Sequence, residues 1–154
     1  PGNYIGKIRG MQSHGITVKK TTIGDRVSIN FSNLDKKNIS RGSTLFDIEK
    51  LEAVKNIVAK VNMVKKTKWS LKNNQRVHVN IGTSHTIGTL KGLSKAIEPN
   101  RSSNVLIILQ KPIVVLNGQK FIIRSLSPSE TIAGGEILHQ QNKEYSSKYY
   151  CKIF

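Results

Sequence analysis

Residues 121–138, FIIRSLSPSETIAGGEIL, decide how the rest of the chain is read. Phe121-Ile122-Ile123 is a short aromatic and β-branched run, and Thr131-Ile132 with Glu136-Ile137-Leu138 supplies a second one. Between them Ser125-Leu126-Ser127-Pro128-Ser129 has the composition of a turn, because Pro128 fixes its own φ and biases Ser127 away from the helical region. Gly134-Gly135 interrupts the second run, where a missing Cβ permits a bulge or a close backbone approach. The stretch predicts a β-hairpin that closes a sheet. Arg124 and Glu130 flank its turn and are placed to pair across it.

Upstream, Asn117-Gly118 is a hairpin signal between residues 112–116 and 120–124. Residues 104–109 read as a nearly continuous apolar strand. Residues 75–81 and 85–93 read as strands around a turn at 82–84, and residues 98–103 as a surface loop. Residues 65–74 form a basic loop holding Leu71 and Trp69, a residue that either stacks on a base or, more ordinarily, anchors the loop. Residues 51–63 are ambiguous. Leu51, Val54, Val58 and Val61 have helical spacing, whereas Ile57, Ala59, Val61 and Met63 alternate as a strand. In the first third, residues 1–3 read as a turn, 4–11 as a strand, 12–15 as a polar break and 16–20 as β-rich. Val27, Ile29 and Phe31 share a face of a strand over 26–31, residues 33–42 are turn-rich, and 43–48 read as a last short strand.

The chain has 154 residues, enough for one ordinary domain or two small ones, with 37% hydrophobic content. No apolar run approaches the roughly 18 residues of a membrane helix, and no signal segment opens the chain. Cys151 is the only cysteine, which removes internal disulfides and cysteine metal cages and fits a reducing, cytoplasmic setting. Charge is the dominant signal: 25 Lys and Arg against 9 Asp and Glu give +16. A face that basic fits a polyanionic partner. The charges come as singles and pairs interleaved with strands, the pattern of a folded surface rather than a disordered basic tail.

Three motifs, in order, resemble a known family. Residues 7–12, KIRGMQ, with 24–30, GDRVSIN, are similar to the second half of the second domain of translational GTPases of the elongation factor Tu type. Residues 76–83, RVHVNIGT, resemble that family's strand and turn, with Asn80 where the family often has His. Arg124, Ser125, Ser127, Pro128, Ser129, Thr131, Ile132, Gly134, Gly135 and Leu138 carry a pattern most similar to the selenocysteine-specific elongation factors. The resemblance covers about residues 4–138. It implies an all-β chain of two consecutive small β-barrels of translation-factor type, the first incomplete at its N-terminus. Residues 1–50 would be the C-terminal part of the second-domain barrel and 51–140 the third-domain barrel, its first strand near 56–64 after a linker at 51–55. Residues 141–154 would be a tail toward winged-helix modules.

The same resemblance implies a function: the tRNA-binding portion of a factor that delivers selenocysteyl-tRNA to the ribosome for UGA recoding, with a selenoprotein mRNA hairpin bound through the winged-helix modules. It places Arg26 on an arginine lining the aminoacyl pocket, where a fixed guanidinium favours a selenolate anion over a neutral seryl group. From the residues alone, Arg26 is as readily a strand-edge arginine paired with Asp25. Lys65, Lys66, Lys68, Lys91, Lys95 and Arg101 are the candidate phosphate contacts to a tRNA stem. The alternative is a general RNA- or ribosome-binding β-barrel of another translational GTPase, elongation factor Tu-like or initiation-factor-like.

No P-loop and no Asn-Lys-x-Asp guanine-recognition string occurs, so no enzymatic activity is expected of this chain. GTP and Mg would belong to a GTPase domain elsewhere in the parent protein. His14, His78, His85 and His139 show none of the close spacings of zinc sites, so no metal is expected from the spacing.

Overall fold

A computed structural model describes residues 4–46 and 52–141. The chain is all-β, as expected, with nine strands and one short 3₁₀ turn among the described residues. It divides into two compact units, Pro1–Arg41 and Gly42–Phe154.

The first unit is a three-stranded antiparallel sheet of β1 (Ile8–Ser13), β2 (Ile16–Val18) and β3 (Val27–Phe31), in the order β2-β1-β3. His14 and Gly15 turn β1 into β2 with φ of 50° and 81°, the positive values a two-residue hairpin uses. Met11 lies opposite Val18 on one side and Ile29 on the other, so these three share a face with Val27 and Phe31. That is the face expected from the alternation in β3. No described residue of this unit is buried. Residues 12–13, read as a polar break, instead belong to β1. Gln12 lies opposite Thr17 and Ser28, and a ladder on both sides holds a polar strand end that pattern alone would end. Residues 43–46 form no strand, against the expectation for 43–48. Residues 47–48, the turn at 1–3 and the expected tail beyond residue 141 lie outside the described residues.

The second unit is a closed barrel. Its strands are β4 (Ala53–Met63), β5 (Arg76–Ile81), β6 (Ser84–Lys91), β7 (Ser102–Val114), β8 (Lys120–Arg124) and β9 (Thr131–Gln141). They run in the order β4-β7-β6-β5-β8-β9, and β9 pairs back onto β4. The ambiguity at residues 51–63 resolves to strand because β4 finds partners on both edges, which a helix cannot use. It begins at Ala53, inside the span read as linker. Ile57, Ala59, Val61 and Met63 point inward, where they meet Val77, Val79, Leu90, Ile107, Ile123, Ile132 and Ile137 in one core. Closure pairs every strand, so no edge is left to aggregate.

Strands β8 and β9 form the hairpin read from residues 121–138. Ser125, buried inside its turn, holds it. Its backbone N–H donates to the Glu130 carbonyl at 2.9 Å, and its hydroxyl accepts from the Glu130 N–H at 3.0 Å and donates to the Pro128 carbonyl. The Ser127–Pro128 peptide is cis. Of the two roles open to Gly134-Gly135, close approach is the one used. A Cβ on Gly135 would lie 2.3 Å from the Lys60 carbonyl oxygen and 2.6 Å from Phe121 Cζ. The register runs evenly past it, Val61 opposite Gly135 and Asn62 opposite Gly134, and the irregularities of β9 fall on either side.

Asn117-Gly118 is a turn without a hairpin. Strands β7 and β8 are not neighbours in the barrel, and the Gly118 N–H donates to the Ile137 carbonyl of β9 at 2.7 Å. Residues 104–109 and 112–114 also join into one strand. Pro112 is accommodated where the β4–β7 register jumps between Val54 opposite Ile113 and Asn56 opposite Ile108, so no regular ladder bond is asked of its nitrogen.

Candidate nucleic-acid interface

Strand direction alternates around the barrel, so three connections meet at one end: residues 64–75 after β4, 92–101 after β6 and 125–130 after β8. They are tied to one another. Leu71, fully buried, bridges to Ile97, with the Leu71 N–H donating to the Ile97 carbonyl at 3.1 Å and the Ile97 N–H returning to Leu71 at 2.8 Å. The Met63 N–H donates to the Arg101 carbonyl at 2.9 Å. Trp69 packs on the core and its indole N–H donates to the Glu130 carboxylate at 2.8 Å, fastening the basic loop to the cis-proline turn. Trp69 is therefore the loop anchor of the two readings, and its polar edge is satisfied. The expected Arg124–Glu130 pair does not form. Arg124 donates instead to the Ser129 carbonyl at 2.8 Å, because Glu130 is already engaged by Trp69.

All six candidate phosphate contacts lie at this end. Lys65, Lys66 and Lys68 are exposed on the first connection, and Lys95 and Arg101 are exposed on the second. Lys91, at the end of β6, is half-buried and donates to Asn74 Oδ1 at 2.6 Å, so it is the one candidate with a fixed geometry. Among the described residues the side chains of the other five carry no ion pair or hydrogen bond. Lys95 and Arg101 flank a groove of about 540 Å³ whose lining includes Leu93, Ile97 and Ser102, with Glu98 the acidic side chain among them. Lys72, Arg76 and Arg124 stand at the same end. They are not among the candidates read from the sequence, and the meeting of three connections joins them to the set. Glu98 and Glu130 are the acidic residues there, one in the groove and one engaged by Trp69.

The opposite end differs. Its turns at residues 82–83 and 115–119 carry no charge. On the nearby wall, Lys120 of β8 is bonded to Glu136 of β9, which holds the Glu136 carboxyl below its ordinary value.

Arg26 lies in the first unit, immediately before β3, and is exposed. It does not pair with Asp25. The Asp25 carboxylate accepts from the Thr22 N–H at 2.7 Å and the Thr22 hydroxyl at 3.0 Å, and these bonds hold its carboxyl below the ordinary value. The Arg26 carbonyl accepts from the Ser13 hydroxyl at 3.2 Å, while its guanidinium has no partner among the described residues.

Among the described residues no group of three or more His, Cys, Asp or Glu side chains is arranged to hold a metal ion, and no helix is long and apolar enough to cross a membrane. His78 and His85 do meet, across the β5–β6 hairpin. Their separation of seven residues about a turn at 82–84 was the available signal.

An all-β chain whose closed barrel gathers lysines at one end has the architecture of a translation-factor barrel. The same fold occurs in the crystal structure of the apo form of translation elongation factor SelB from Methanococcus maripaludis, with a TM-score of 0.70 at 23% identity over 88% of this chain and 34% of that one. Residues 56–144 match the family described as "Selenocysteine-specific elongation factor, beta-barrel domain", and the chain belongs to that family. It is 26% identical over 140 residues to a selenocysteine-specific elongation factor of Desulfomicrobium baculatum, covering 90% of this chain and 22% of the relative. It is 28% identical over 134 residues to one of Haemophilus influenzae, covering 86% and 21%. The chain thus spans about a fifth of the length of these relatives.

Proposed function

We propose that this chain is the tRNA-holding part of a selenocysteine-specific translation elongation factor, which delivers selenocysteyl-tRNA to the ribosome for UGA recoding in the cytoplasm. The observation that carries the reading is the meeting of Lys65, Lys66, Lys68, Lys91, Lys95 and Arg101 at one end of a barrel of this family. Five of them are exposed and unengaged among the described residues, as side chains that follow a phosphate backbone must be before binding. Contacts of this kind read the shape and charge of an RNA stem rather than its sequence. Arg26 lines the aminoacyl pocket in this reading, and its guanidinium, without a partner among the described residues, is available to an anionic selenolate. GTP hydrolysis with Mg, and capture of the mRNA hairpin, fall to other parts of the parent protein.

Binding of the chain to selenocysteine tRNA, an elongator tRNA and a plain RNA hairpin, each at low and moderate salt, tests the reading. Six phosphate contacts correspond to about a thousandfold weakening between roughly 50 and 200 mM salt. Preference for selenocysteine tRNA with a slope of that size supports the proposal. Equal binding of all three RNAs favours a general RNA-binding barrel, and binding that ignores salt overturns the assignment of the lysine end.

A further inference from the structure

On the outer face of β5 and β6, beside the strand ends that carry Arg76 and Arg124, His78 and His85 form a close side-chain pair. His78 Nδ1 and His85 Nε2 lie 3.1 Å apart, with ring centroids 4.8 Å apart and planes tilted by 33°. The register sets Ile87 opposite His78 and His85 opposite Asn80, so the two rings meet diagonally across the ladder, on the face away from Val77, Val79 and Ile81. His85 is exposed and His78 half-buried, so the pair is reached from solvent.

Two imidazole nitrogens bound to one ion at about 2.0–2.1 Å stand about 2.9 Å apart at a right angle and about 3.3 Å apart at the tetrahedral angle. The observed 3.1 Å lies between these two edges. We infer that His78 and His85 form a two-nitrogen chelate for a divalent first-row transition ion, whose remaining positions are taken by water.

Without an ion, one facing nitrogen donates its N–H to the other. Chelation needs a lone pair on both, which places the protons on the remote nitrogens, His78 Nε2 and His85 Nδ1. For two neutral rings this is a change of tautomer with no net proton release, and protonation of either ring at acidic pH abolishes it. The charged neighbours among the described residues are cations: Arg124 on β8, opposite His78, Arg76, two residues earlier on β5, and Lys111 on β7, whose backbone N–H donates to the Thr86 hydroxyl beside His85. Ile87 and Thr89 on β6, Asn80 on β5 and Ile122 on β8 are uncharged. Arg124 is drawn to the Ser129 carbonyl. Among the described residues no carboxylate joins the pair to favour hard cations, so selectivity follows the nitrogen-ligand order, Cu²⁺ ahead of Ni²⁺ and Zn²⁺.

Calorimetric titration of the chain with Cu²⁺ and with Zn²⁺ near neutral pH, together with the Cu²⁺ electron paramagnetic resonance spectrum, tests the site. One Cu²⁺ per chain is expected, with hyperfine structure from two nitrogens and tighter binding than Zn²⁺. His78→Gln or His85→Gln should weaken Cu²⁺ binding by roughly tenfold or more, and His14→Gln should leave it unchanged. Thermal melts of the metal-free variants show whether the barrel remains folded. Should a variant not fold, ¹⁵N spectra of the unaltered protein decide, because Zn²⁺ should then shift the ring nitrogens of His78 and His85 and no others. Unchanged affinity in folded His85→Gln, an equal loss in His14→Gln, or ring shifts spread over all four histidines would overturn the inference.

Discussion

The two units are built from the same materials and reach different degrees of burial. In the barrel, alternating residues of β4, β5 and β8 are sealed from water, with Ile57, Val61, Val77, Val79 and Ile123 all at 0% exposure. In the three-stranded sheet the same alternation in β3 leaves Val27, Ile29 and Phe31 only half-buried. Strand propensity and alternation are therefore not what separates them. Closure is: a sheet that returns to its first strand buries its inner face against itself, whereas among the described residues the first unit supplies three open strands and no opposite wall of its own.

Backbone proximity gives the largest expected contrast. Gly135→Ala places a methyl 2.3 Å from the Lys60 carbonyl, a backbone atom that cannot move without parting β9 from β4. The cost should exceed about 4 kcal/mol, the range reserved for changes that disrupt a core or a paired backbone. Gly10→Ala in β1 meets nothing within 4 Å and should be neutral or stabilising by up to roughly 1 kcal/mol. Chemical denaturation of the two variants checks this. A Gly135→Ala protein of ordinary stability would mean that β9 is not held against β4 as described.

Burial gives the next contrast. Ile107→Ala removes a side chain at 0% exposure and should cost about 2–5 kcal/mol. Ile29→Ala removes the same atoms from a half-buried face and should cost no more than about half of that. Equal losses would show that the face of β3 is covered in solution, and the difference between the two units would then be one of partners rather than of construction.

Much of this was legible in the sequence where one strand settles its own fate. The alternation in β3 and the Pro-Ser turn between β8 and β9 each depend on local chemistry, whereas Gly134-Gly135 was visible as a special pair and only the neighbouring Lys60 carbonyl and Phe121 ring decide between bulge and close approach. What escaped depends on which strands become neighbours. Asn117-Gly118 has hairpin composition, but its flanking strands part to opposite sides of the barrel order. Pro112 marks a break in composition but is absorbed where the register jumps. Glu130 looked free for Arg124 until the loop carrying Trp69 came within 2.8 Å of it. The candidate site divides in the same way. Six of its basic residues were visible as residues, whereas Lys72, Arg76 and Arg124 joined them only through strand direction.

The smallest contrast is electrostatic, and it compares a turn of the first unit with a wall of the second. Asp25 is held below the ordinary aspartate value of 3.8 chiefly by the Thr22 N–H, then by the Thr22 hydroxyl. Glu136 is held below 4.5 chiefly by its bond to Lys120. In both, the folded value lies below the unfolded one. Any stabilisation is therefore complete above the unfolded value and is lost as pH falls through the folded one, under 3.8 for Asp25 and under 4.5 for Glu136. Both carboxylates are solvent-exposed, so the melting temperature should barely register either loss. Resonances should register both, and by different routes. The Thr22 amide signal should move as Asp25 titrates and be indifferent to salt, because a backbone hydrogen bond carries that shift. The Glu136 side-chain signal should titrate closer to 4.5 in Lys120→Met and in high salt, because an ion pair carries that one. If Lys120→Met leaves the Glu136 titration where it was, the β8–β9 ion pair is not formed in solution, and the two ends of the barrel differ less in charge pairing than their side chains indicate.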